Sequence, residues 1–93
     1  MKLIDTIEFT PKTSVMYNVD RMWTEMLLRT QERHINDFMR KHGYIYLNQI
    51  YEMLAVKWNP DVIDNAVCIY KEGRVIRFDI FNVPEGFVID IMW

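Results

Sequence analysis

The sequence has 93 residues, of which 51% are hydrophobic, 14% aromatic and 26% charged, with a net charge of −2, three glycines and three prolines. This excludes disordered, collagenous and low-complexity chains, which need far more Gly, Pro or net charge, and a general nucleic-acid binder, whose phosphate contacts need a basic stripe. The length fits a single domain over 1–93 that hides only about 60–65% of its unfolded surface, so surplus apolar residues are expected outside, at a contact between copies.

Lys2 to Phe9 alternates loosely through Leu3, Ile4, Ile7 and Phe9, and reads as a strand-like arm within 1–16. Thr10-Pro11-Lys12-Thr13-Ser14 breaks it with turn residues. From Asn18 the period turns helical. Asn18 is expected to cap a helix from about Val19 to His42, with Tyr17 stapled onto Met22. Arg40, Lys41 and His42 crowd its end, where the macrodipole favours cations, and Gly43 closes it. Its apolar stripe has two halves: Val19, Met22, Trp23, Met26 and Leu27, then Ile35, Phe38 and Met39. Between them Arg29-Thr30-Gln31-Glu32-Arg33-His34 is polar throughout.

Tyr44-Ile45-Tyr46 is extended in character, and a short helix over Leu47 to Ala55 completes a helical part over 18–56. Ala66–Tyr70, Val75–Asn82 and Phe87–Trp93 read as strands, separated by turns at Lys71-Glu72-Gly73-Arg74 and Val83-Pro84-Glu85-Gly86. Turns this close predict an antiparallel β-meander over 66–93. The expected class is α+β, with one long and one short helix packed on a three- to four-stranded antiparallel sheet.

A single cysteine, Cys68, cannot form an intrachain disulfide. Charge at Lys2 and Asp5 interrupts any signal-peptide core, and no apolar run approaches the ~20 residues of a membrane span. A whole, soluble, cytoplasmic product with no membrane partner is the expectation.

His34 and His42 stand eight apart, about 12 Å along a helix, so they cannot share a metal, and Asp37 adds too few ligands. No metal or cofactor is expected. Arg29, Arg33 and Arg40 fall on one helical stripe, and with Asn36 they can hold a phosphate or carboxylate. The plainer alternative is a solvated face with pairs Arg29–Glu25 and Arg33–Asp37. Tyr44, Tyr46, Tyr51 and Trp58 offer stacking surfaces for a base, or else fill the core. On the strands, Arg77, Asp79 and Asp90 lie opposite Phe78 and Ile89. An Arg77–Asp90 cross-strand pair is expected there. Val75, Phe81, Val88 and Met92 share that outer side as a subunit interface. The candidate ligand set is therefore Arg29, Arg33, Asn36, Arg40, Tyr44, Tyr46, Trp58 and Arg77. A helix-turn-helix is disfavoured because the second helix lacks Lys or Arg before Lys57. With Ser14 the only serine and no His forced onto Cys68, no nucleophile–base constellation is visible and the chain reads as non-enzymatic.

Residues Arg33 to Leu54 read R-H-I-N-D-F-M-R-K-H-G-Y-I-Y-L-N-Q-I-Y-E-M-L. This resembles small phage and prophage proteins of Gram-positive bacteria. In those, a helix with an Asn-Asp pair runs into Gly-Tyr, an aromatic, Leu-Asn-x-(Val/Ile)-Tyr and a short helix. The close match covers about a quarter of the chain and departs at Ala55-Val56, where a Gly often follows the helix. The resemblance carries no activity; it implies an accessory protein of a mobile element. With the arginine stripe, this suggests a homo-oligomer that sequesters a small anionic, nucleotide-type immune signal of the host to counter anti-phage defence. The alternative is a protein-interaction module, either a virion accessory protein or an inhibitor docking on a host protein.

Overall fold

The computed structural model describes residues 2–60 and 67–93. In chain order they form β1 (Leu3–Phe9), α1 (Arg21–His42), β2 (Tyr44–Tyr46), α2 (Leu47–Met53), β3 (Val67–Ile69), β4 (Arg77–Val83) and β5 (Gly86–Met92). The class is α+β, with antiparallel strands in a three-stranded sheet of order β1-β5-β4 and a two-stranded sheet of β2 and β3.

Helix α1 begins two residues later than the sequence suggests. Asn18 is not its cap, because its side chain accepts from Asp20 N at 2.9 Å. Both its backbone groups also bond the Thr24 hydroxyl. Asp20 is thus the first residue with a carboxylate free for the helix amides, and it accepts from Trp23 N at 3.1 Å. Tyr17 does not staple Met22; its ring sits 6.2 Å from Phe9 and 6.4 Å from Phe87. At the other end Gly43 turns left-handed at φ 83° and its N–H returns to Met39 O at 2.6 Å.

The buried side chains of α1 are Thr24, Leu28, Ile35 and Met39. They meet Ile7, Phe9, Phe78, Phe87, Ile89 and Ile91 from one face of the large sheet, and Ile50 and Leu54 from around α2. Each such side chain contributes about 1.5–3 kcal/mol by leaving water. Leu28 and Thr24, rather than Met22 and Met26, therefore set the inward stripe. At 100° per residue Met22 and Met26 point about 160° away from Thr24.

The expected meander shrinks to the β4–β5 hairpin. Val67–Ile69 pairs instead with Tyr44–Tyr46, bringing buried Ile45 opposite buried Cys68; Ala66, expected to open that strand, lies outside the described residues. The place beside β5 goes to β1, with Ile7 opposite Ile89 and Phe9 opposite Phe87. In the hairpin, Gly86 lets β1 approach: a Cβ there would stand 2.6 Å from Phe9 O. Helix α2 stops at Met53, short of the expected Ala55. Ala55 itself is left-handed at φ 54°, a conformation that costs a non-glycine residue about 1–2 kcal/mol. Among the described residues, no helix is long and apolar enough to cross a membrane.

Candidate functional site

The polar stretch of α1 lies against β4, an outer strand of its sheet. Such a strand presents unpaired N–H and C=O groups along its free edge. Asn36 answers them like a strand residue: its Oδ1 accepts from Ile76 N at 2.7 Å and its Nδ2 donates to Ile76 O at 2.8 Å. One turn earlier, Glu32 Oε2 accepts from Phe78 N at 2.6 Å and Arg29 Nη1 donates to Phe78 O at 2.9 Å. Arg29 and Glu32 also pair with each other at 3.0 Å. Gln31 reaches the other way and donates to Met53 O at 2.6 Å. The lapse in the apolar stripe is thus a side-chain substitute for a neighbouring strand. This edge also explains why β3 pairs elsewhere.

The candidate ligand residues are therefore divided. Arg29 and Asn36 are engaged by the β4 backbone. Arg40 is exposed and bonded to Asp37. These pairs replace the expected Arg29–Glu25 and Arg33–Asp37. Arg33 makes no hydrogen bond or ion pair among the described residues, and it borders a shallow groove of about 410 Å³ with Met22, Met26 and Thr30. Tyr44 and Tyr46 stand edge to face at 5.4 Å on the two-stranded sheet. Trp58 packs against the core. Arg77 lies on the side of the large sheet away from α1. Helical spacing brings the arginines onto one stripe; nothing local to the chain says which of them meets a strand edge.

That outer sheet face carries three of the expected interface residues, Phe81, Val88 and Met92, while Val75 is exposed just before β4. Its rows follow from the register. Glu8, Val88 and Phe81 form one; Thr6, Asp90 and Asp79 the next; Leu3, Met92 and Arg77 the last. Arg77 therefore stands opposite Met92, and the expected Arg77–Asp90 pair is replaced by Asp79 opposite Asp90. Arg77 Nη2 reaches Asp79 at 3.5 Å along its own strand, and Thr6 Oγ1 donates to Asp90 at 2.8 Å. Past Val88 the face opens into a groove of about 640 Å³ lined by Pro11, Lys12, Val83, Glu85 and Glu8 among others.

Two anchoring contacts were not legible in the sequence. Arg21 donates to the carbonyls of Val83, Pro84 and Gly86 at 2.9–3.0 Å and lies 5.5 Å over the Phe87 ring. The Tyr51 hydroxyl donates to Asp5, which strand alternation puts on the inner side of β1 with Ile7 and Phe9. Burial, reinforced by that carboxylate, raises the Tyr51 hydroxyl above the ordinary phenol range. Burial also raises the Cys68 thiol, which disfavours the thiolate a nucleophile needs. No family model matches this sequence, and neither a curated protein nor a solved structure is significantly similar to it.

Proposed function

We propose that the chain is a non-enzymatic protein-interaction module, an accessory protein that acts by docking on a host protein. The observation that supports this best is the outward side of α1. Val19, Met22, Trp23 and Met26 are 90, 76, 49 and 65% exposed around the first two turns of the helix. So many large apolar groups left in water on a small molecule mark a contact surface. Methionine suits such a role because its flexible thioether adapts to the shape of a partner. The same surface can also close on a second copy, which accommodates a homo-oligomer.

The test is affinity capture from a host extract on the immobilised chain, alongside light scattering of the chain alone. Wild type should retain one defined host protein or form a defined oligomer, and Met22→Gln/Met26→Gln should lose it. A monomer that retains nothing from the extract overturns the proposal.

A second reading, sequestration of a small anionic nucleotide-type ligand, is favoured by Arg33, whose guanidinium has no partner among the described residues and borders the Met22–Met26 groove. A panel of mono-, di- and cyclic nucleotides should then raise Tm, because a ligand of the folded state alone stabilises it. Arg33→Ala should abolish the rise.

A further inference from the structure

We infer that the outer face of the three-stranded sheet is a second docking surface, and that its occupant is an amphipathic helical segment of a partner protein carrying Arg or Lys between two apolar side chains. This rests on reading the chain as a protein-interaction module, and it names the partner's chemistry.

The face is apolar at both ends and acidic in the middle. Phe81 and Val88 lie at one end and continue into the 640 Å³ groove past Val83. Met92 and Leu3 lie at the other. Between them Asp79 stands directly opposite Asp90, while Glu8 lies beside Val88 in one end row and Arg77 beside Met92 in the other. Among the described residues Arg77 is the cation of the strand rows, where it already leans on Asp79, and Lys12 lines the groove beyond them. Carboxylates directly across a strand pair repel. A cation laid over them relieves that repulsion, so the charge complement of this face is basic.

The same row argues against a second copy as the occupant. A two-fold centred on this face lays the middle row onto itself and stacks the carboxylates of Asp79 and Asp90 against their own counterparts. An added strand is also disfavoured. On the β4 edge, Ile76 and Phe78 are already bonded by Asn36, Glu32 and Arg29. On β1, Thr13 donates to Glu8 O at 2.8 Å and Asp5 accepts from Thr6 N at 2.9 Å. A partner must lie across the face, as a helix does on an open sheet.

The spacing then fixes the pattern. Val88 and Met92 are four residues apart on β5, with Asp90 between them, about 13 Å at 3.3 Å per residue. A helix spans about 10 Å between i and i+7, with i+3 and i+4 between them on the same side. The matching segment has apolar residues at i and i+7 and Arg or Lys at i+3 and i+4.

The probe is a labelled 18-residue helical peptide with Leu at i and i+7, Arg at i+3 and i+4, and Ala and Gln elsewhere, titrated into the full chain. Binding should weaken as salt rises. Asp79→Asn/Asp90→Asn should weaken it at least tenfold at low salt, and so should Phe81→Ser. The peptide with Glu in place of Arg should not bind. Far-UV circular dichroism of each variant checks that it is folded. No binding of the Arg peptide at millimolar concentration overturns the inference, as does equal binding by the Asp79→Asn/Asp90→Asn protein. If Met22→Gln/Met26→Gln abolishes peptide binding and the sheet variants do not, the sheet assignment falls while the α1 surface stands. Self-association of wild type that the sheet variants abolish also overturns it, in favour of a second copy.

Discussion

The two halves of α1 differ in a way that runs against the usual reading of an amphipathic helix. From Arg29 to Asn36, the side chains of Arg29, Glu32 and Asn36 face the protein and hold the backbone of Ile76 and Phe78 at the start of β4. Before that, its largest apolar side chains face water: Met22 and Met26 are exposed, and the first turns are anchored by Arg21, Thr24 and Leu28. Polarity in this helix reports what each turn meets. A turn that meets a strand edge needs donors and acceptors; a turn that meets nothing within its own chain can remain apolar if something else covers it.

The largest expected effect breaks the inward half. Asn36→Ala strips both the donor and the acceptor from Ile76, a residue 1% exposed, and leaves its N–H and C=O unpaired. Unmade hydrogen bonds at buried groups cost about 1–3 kcal/mol each, so the loss should be about 2–4 kcal/mol in urea-induced unfolding. Asn36→Asp should also destabilise, since the carboxylate keeps an acceptor for Ile76 N but cannot donate to Ile76 O. If Asn36→Ala costs no more than Met22→Gln/Met26→Gln, the contrast between the two halves disappears.

An intermediate effect belongs to Arg21, which ties the outward half to the hairpin. Of its carbonyl partners Pro84 is exposed and Val83 half-buried, where water replaces a lost donor, and Gly86 is buried. Arg21→Met should cost about 1–2 kcal/mol, from the net value of those bonds and the cation–π contact with Phe87. It should also raise amide exchange selectively in 83–87. Uniform exchange across the sheet would mean that the hairpin does not depend on this anchor.

The sequence made some of this legible. The Tyr44–Tyr46 extension, the Gly43 stop, the hairpin at 83–86 and the α+β class all follow from periods and turn residues, which are local. The inward role of Asn36 and Glu32 was not legible, because it depends on a strand 40 and more residues away. Asn and Asp are equally good caps, so the sequence does not separate Asn18 from Asp20; the bonds of Asn18 to Thr24 and Asp20 N decide between them. The pairing of β3 with β2 is hidden for a related reason. Turn spacing says that strands are near in sequence but cannot say that a helix already occupies the edge. Of the eight candidate ligand residues, Arg33 borders a groove with no partner among the described residues, while Arg29 and Asn36 have structural duties that composition and spacing do not display.

The smallest expected effect on folding sharpens the comparison most. Met22→Gln/Met26→Gln changes two exposed side chains to straight-chain polar ones of similar length and good helix propensity. Exposed positions away from caps and cores usually move stability by less than 0.5 kcal/mol, so unfolding should stay within about that range. Binding to a partner or to a second copy should nevertheless fall sharply, because the apolar area that drives association is removed. Stability and association thus separate on the two halves of one helix: Asn36→Ala should strike the first, and the methionine pair the second. A loss of stability above 1 kcal/mol in the methionine variant would place those side chains in the protein's own packing, and the outward half would then need no partner to explain it.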